Sequence, residues 1–175
     1  LGSGKSTLAR AFIRALMKQN QNVDIPSPTF SLIQNYDETR IPVFHADLYR
    51  LHNDNEVEEL GFESLLTTHL GLIEWPDRLQ RKLADDCLVL SLSGRGAQRD
   101  VELEATGAWA AALQRNDILN SFIARSPHAS SQRIFFEGDA SARRYEQLVA
   151  SDGTHCLLMD MPQRPDGPPV KLGKP

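Results

Sequence analysis

Cysteine is nearly absent: Cys87 and Cys156 are the only two in a chain of 175 residues. They stand far apart, so neither a disulfide framework nor a Cys-x-x-Cys metal knuckle can be drawn. Two reduced thiols in a cytoplasmic protein is the direct reading. Histidine adds no metal site, because His45, His52, His69, His128 and His155 lack ligand spacing with either cysteine. Positive charge is not in excess. The formal net charge is −4, so there is no global basic character with which to hold nucleic acid by charge alone. Long apolar runs are missing too: none approaches the ~18 residues that cross a bilayer, and no signal peptide is visible. These absences lead to the expectation of a cytoplasmic protein with no membrane partner. The apolar share, 41%, is ordinary, and the length suits one domain or one domain plus a piece of another.

What is there begins at the first residues, Leu1-Gly2-Ser3-Gly4-Lys5-Ser6-Thr7. Residues 1–6 fit the final positions of the phosphate-loop pattern G-x-x-x-x-G-K-[ST]. Gly2 and Gly4 let the backbone curl until successive N–H groups point at phosphate oxygens. Lys5 adds positive charge at the β- and γ-phosphates, and the Ser6 hydroxyl is the usual Mg²⁺ ligand. Residues 7–19 read as a helix with Leu8, Phe12, Ile13, Leu16 and Met17 on one apolar face. Its N-terminal dipole favours an anion. A Gly/Ser turn that merely caps a helix has no need of the Lys-Ser-Thr run. The chain is therefore expected to handle a nucleoside triphosphate. The pattern also leads to the expectation that its opening glycine and lead-in strand lie before residue 1.

Further along, Pro26 and Pro28 force an extended or looped stretch. Residues 30–36 and 43–48 read as strands, 54–60 as a short acidic helix capped by Asn53 or Asp54, and 70–74 as a short buried strand. Residues 77–83 read as another helix. Residues 87–93 and 100–105 alternate around Gly94-Arg95-Gly96 and read as a hairpin. Strands mixed with helices predict an α/β fold with an antiparallel edge made by that hairpin. Residues 109–125 then read as a helix and 126–132 as a linker. Strands follow at 133–137, 143–149 and 155–161, before a Pro- and Gly-rich stretch over 162–175. With no helix foreseen to cover them, those strands read as a marginal unit, cut short at its end.

A phosphate loop needs an acid at a strand end, to hold Mg²⁺ or to orient water. Asp47 ends VFHAD and Glu74 ends LGLIE, each after an apolar run. A helix cap or a surface charge is the alternative use of either. His45 shares the side of Asp47 by period-two spacing, as a hydrogen-bond partner or as a half-buried histidine. Arg50 could meet a phosphate or form a surface ion pair. Thr29 lies where a nucleotide-sensing loop could sit. Arg10, Arg14 and Lys18 recur every fourth residue on the first helix, a solvated face or a stripe for an acidic partner or RNA. Glu56, Glu58, Glu59 and Glu63 read as a solvated helix, because a cation cage needs convergent carboxylates.

Six segments together, LGSGKSTLAR, SPTFSLIQNYD, VFHADLYRL, EVEELGFE, LIEWPDRL and the closing hairpin, resemble the TsaE family, the ATPase component of tRNA threonylcarbamoyladenosine synthesis. The resemblance covers residues 1 to about 105. It implies a P-loop NTPase-like sheet with helices on both faces, and slow ATP hydrolysis with Mg²⁺. It further implies association with the TsaD and TsaB proteins, which transfer a threonylcarbamoyl group to a tRNA adenosine, with tRNA met only through that complex. It carries phosphate and nucleotide contacts to Gly2, Ser3, Gly4, Lys5, Ser6 and Thr7, metal contacts to Ser6 and Asp47, a loop role to Thr29, and nucleotide proximity to Glu74 and Trp75. Lys5 and Glu74 are the expected catalytic pair. Residues 133–162, through FFEGDASARRYEQL and CLLMDMPQ, are similar to the N-lobe of aminoglycoside-phosphotransferase-like kinases, including sugar kinases of cell-wall recycling. The expected organisation is a TsaE-like domain over 1–105, a helix and linker over 106–132 and a truncated kinase-like N-lobe over 133–175. A small-molecule kinase, acting on cell-wall amino sugars, is the alternative main activity, and a nucleotide-dependent adaptor is a third reading.

Overall fold

The structure is a computed structural model that describes residues 2–17, 24–79, 85–94, 96, 98–136 and 143–161. The chain divides into two compact units, Leu1–Trp109 and Ala110–Pro175.

In the first unit, helix α1 (Lys5–Leu16) follows Gly4, which takes a left-handed conformation that only glycine adopts at no steric cost. Three strands form one sheet in the order β1 (Ile33–Tyr36), β2 (Val43–Asp47), β3 (Leu70–Glu74). β1 is antiparallel to β2, and β2 is parallel to β3 with Asp47 opposite Glu74. Side chains alternate along β2, and each set finds its own cover. Val43 packs with Ile13, Leu16 and Ile25, with Leu70 and Leu72 against that cluster. Phe44 and Ala46 point the other way, onto Val57 of α2 (Asn55–Glu59) and Phe62 of α3 (Phe62–Thr68). Helices therefore cover both faces of the sheet, as expected. Leucine at 70 and 72 and isoleucine at 73 serve these two sides of β3, and Gly71 makes room for the Phe44 ring.

Several sequence expectations shift. The strand predicted from Phe30 starts at Ile33, because residues 29–31 form a turn and Leu32 takes a φ of 61°. That turn is closed by Leu32 N–H on the Pro28 carbonyl, and the Leu32 carbonyl then accepts the Asp47 N–H. The apolar face of α1 is Ala9, Ile13 and Leu16, whereas Leu8 and Phe12 are exposed. Predicted residues 18 and 19 of that helix lie outside the described residues. The helix predicted from Asp77 is a 3-10 helix over Pro76–Arg78, and the rest of that prediction is outside the described residues. α3 is an element that the sequence reading, whose acidic helix ends at residue 60, did not foresee. Asn53, not Asp54, supplies the side-chain cap of α2, accepting the Asn55 N–H at 3.0 Å.

The hairpin of β4 (Leu88–Ser93) and β5 (Asp100–Ala105) forms its own two-stranded sheet. The expectation that it edges the main sheet is corrected: among the described residues the antiparallel edge is β1, paired with β2. Helix α4 (Gly107–Ala124) follows.

In the second unit, β6 (Gln132–Phe136), β7 (Arg144–Val149) and β8 (His155–Asp160) form an antiparallel meander. The expectation that nothing covers these strands is also corrected. Ile123 and Leu119 of α4 pack on Leu148, Leu158 and Cys156. Arg133 ties helix to sheet, pairing both Glu146 oxygens at 2.6 and 2.7 Å and donating to Asn116 and Asn120. The predicted GDASA loop and the 162–175 stretch lie outside the described residues. Cys87 and Cys156 are both free thiols.

Candidate functional site

The parallel pairing of β2 and β3 decides where the site lies. Ligands of open α/β sheets sit beyond the carboxyl ends of parallel strands, and there Asp47 and Glu74 stand side by side. The N-terminus of α1 opens beside them. Gly2 and Gly4, with φ of 77° and 99°, turn the backbone that carries Ser3 between them. These pieces enclose a pocket of about 340 Å³ lined by Gly2, Ser3, Gly4, Lys5, Ser6, Thr7, Arg10, Thr29, Asp47, Tyr49, Glu74 and Trp75. Every residue expected from the sequence to hold nucleotide or metal lies on that lining.

The contacts inside it are specific. The Ser6 hydroxyl donates to Glu74 Oε2 at 3.0 Å, and His45 Nε2 meets Glu74 Oε1 at 3.0 Å. Thr29 Oγ1 donates to Asp47 Oδ2 at 3.0 Å and lies 2.9 Å from the Ser27 hydroxyl. Asp47 Oδ1 accepts the Tyr49 N–H at 3.1 Å, so Asp47 also caps the 3-10 turn Leu48–Arg50. The cap and the pocket role, read as alternatives from the sequence, are compatible at one side chain. Lys5 Nζ sits 4.1 Å from the centre of the Trp75 ring and 3.1 Å from Ser3 Oγ. Trp75 itself has φ 59° and ψ 50°, a left-handed backbone that is uncommon for a bulky residue. Its indole lies 5.1 Å from the Tyr49 ring.

Burial pushes the Glu74 carboxyl up. Hydrogen bonds from His45 and Ser6 and the positive charge of Lys5 act against it and together hold the group below its usual value. Glu74 is therefore an anion at neutral pH. The oxygen donors Ser6, Thr29, Asp47 and Glu74 suit a hard cation. Among the described residues no three His, Cys, Asp or Glu converge as an all-protein cage. One or two carboxylates completed by phosphate oxygens and water is how Mg²⁺ is usually held.

Some pocket residues were missed by the sequence reading. Arg10 faces the pocket rather than a solvated stripe, whereas Arg14 is exposed and Lys18 lies outside the described residues. Tyr49, two residues past Asp47, was legible only as part of the DLYR run. Arg99, the residue just before β5, donates to the Ser3 carbonyl at 2.9 Å, and no local pattern announces it. Arg50 does not line the pocket; its guanidinium lies 4.6 Å from the Phe30 ring. The acidic run of α2 and α3 stays a mainly solvated surface, and Glu63 is exposed.

Residues 1–101, more than half of the chain, match the model of one protein family, described as "Threonylcarbamoyl adenosine biosynthesis protein TsaE". Curated relatives of this chain carry the name tRNA threonylcarbamoyladenosine biosynthesis protein TsaE. The protein of Rickettsia felis is 39% identical over 92 residues, 53% of this chain and 53% of its own length. That of Haemophilus influenzae is 31% identical over 106 residues, 60% of this chain and 65% of its own length. That of Bacillus subtilis is 28% identical over 109 residues, 61% and 66% of the two chains. The chain thus spans about half the length of the Rickettsia felis protein.

Proposed function

The chain belongs to the TsaE family, and from that premise we propose that its first unit binds and hydrolyses ATP in support of N6-threonylcarbamoyladenosine formation in tRNA. The observation that carries this reading is the convergence of the phosphate loop with two strand-end acids, Asp47 and Glu74, on one pocket.

Each residue then has a task. Backbone N–H groups of residues 2–6 surround the phosphates, and Lys5 neutralises charge on their outer oxygens. Ser6 and Asp47 are the residues that would hold Mg²⁺, with Thr29 hydrogen-bonded to Asp47. Held there, the ion would supply positive charge against the negative charge that builds on the phosphate oxygens. Glu74, an anion by its surroundings, orients the attacking water. Trp75 and Tyr49 form an aromatic wall for the nucleotide. The partners in this reading are the TsaD and TsaB proteins, with tRNA reached only through them. The setting is the cytoplasm, and no helix among the described residues is long and apolar enough to cross a membrane.

The rival activity, a small-molecule kinase within 1–105, asks for an arginine-lined lid over the pocket. Arg10 and Arg99 reach the loop region singly. For residues 133–175 we propose the start of a phosphotransferase-like N-lobe, a reading supported by the antiparallel meander β6-β7-β8.

The test uses the full-length protein with TsaD, TsaB, tRNA and ATP. Lys5→Ala should lower ATP turnover by about 100-fold or more and abolish the tRNA modification; unchanged turnover would remove the site assignment. Asp47→Asn should weaken Mg²⁺-dependent hydrolysis more than Mg²⁺-free nucleotide binding, and equal effects on both would remove its metal role.

A further inference from the structure

We propose that His45 is a positioning residue for Glu74, an inference that rests on the hydrolytic reading above. His45 sits within β2 and is fully buried, on the face that otherwise packs Val43 against α1. Packing at such a position asks only for an apolar side chain; an imidazole there needs a polar reason.

The reason is visible in its two nitrogens. Nε2 lies 3.0 Å from Glu74 Oε1, while Nδ1 is buried with no hydrogen-bond partner among the described residues. A carboxylate only accepts, so Nε2 carries the proton and donates it to Glu74. Nδ1 then keeps a bare lone pair. His45 is thereby a one-way donor to Glu74. Ser6 holds the other oxygen of Glu74, at 3.0 Å. Two donors on two oxygens fix the carboxylate plane and leave a second lone pair on each oxygen. Ser6 has another duty in the proposed site, at the metal. His45, sealed against the sheet and absent from the pocket lining, has none. It is the partner dedicated to aiming Glu74.

The experiment uses full-length protein, with ATP turnover measured beside affinity for a fluorescent ATP analogue. His45→Leu fills the space without a donor, and His45→Gln restores an N–H. The expected result is a kcat about 10- to 100-fold lower for H45L, with analogue affinity within about twofold of wild type. H45Q should recover most of the loss. On a Glu74→Gln background, H45L should cause no further loss, because its effect passes through Glu74. Nitrogen-15 imidazole spectra of the unaltered protein should report a proton on Nε2, a readout that needs no variant to fold. A kcat for H45L near wild type, an equal loss on the E74Q background, or an Nδ1–H tautomer each overturns the proposal. If E74Q itself leaves turnover unchanged, the Glu74 assignment falls and this inference with it. If E74Q is inactive while H45L is fully active, only this inference falls.

Discussion

Glu74 keeps its charge in a place where burial alone would remove it. Two donated hydrogen bonds and nearby positive charge outweigh the loss of water, so its carboxyl stays below the ordinary value of 4.5. The consequence for stability has a definite sign. A carboxyl whose folded value is depressed stabilises the protein above its unfolded value and loses that contribution as pH falls through the folded one. Without nucleotide or added Mg²⁺, the urea midpoint of wild type should exceed that of Glu74→Gln at neutral pH. The gap should shrink as pH falls below about 4.5; a gap unchanged down to the acid limit would show that the charge contributes nothing. Trp75, the next residue, holds a left-handed backbone that costs roughly 1–2 kcal/mol for a non-glycine residue. In return its ring meets both Lys5 and Tyr49. At this scale the sequence was legible where chemistry follows a local rule. A phosphate loop announces Lys5 and Ser6, and an apolar run ending in an acid announces Asp47 and Glu74. Arg10 and Arg99 follow no such rule, because only the fold brings their side chains to the loop.

Elements show the same division. β3 was legible end to end, since its apolar run is short and ends in Glu-Trp-Pro. β1 was read three residues too long, because the turn that carries Thr29 to Asp47 is written in apolar residues, Phe30 and Leu32, that look like strand. α3 escaped because its seven residues, FESLLTT, are too few to show a helical period. Within β3, Gly71 has a reason that the sequence did not offer. A Cβ there would lie 2.7 Å from Phe44 Cζ and 3.0 Å from Cε1. That ring is fully buried and packs edge-on against Phe62, centroids 5.5 Å apart, so it has little room to yield. Gly71→Ala should therefore destabilise the first unit by about 1–3 kcal/mol, read from the denaturant midpoint. A midpoint equal to wild type would mean that Phe44 moves aside freely.

At the scale of the whole chain, two compact units should unfold as two events. Calorimetry is expected to show two transitions, with Gly71→Ala lowering one and Arg133→Ala the other, the latter by about 1–3 kcal/mol through lost charged hydrogen bonds. A single transition moved equally by both changes would mean that the units fold as one. The mixed α/β class was legible from alternation, but the separate hairpin sheet and the cover that α4 gives to β7 and β8 were not, because pairing between distant segments leaves no local trace. The pairing of Asp47 with Glu74 across β2 and β3 carries one further consequence. Side chains alternate, so a slip of one residue between these strands would turn Glu74 to the opposite face. It would then press a carboxylate into the cluster of Phe44 and Phe62, a burial that costs several kcal/mol without a partner. The acid that serves the pocket thus also rejects the wrong alignment of its own strand, so the correct sheet and the working site require one and the same register.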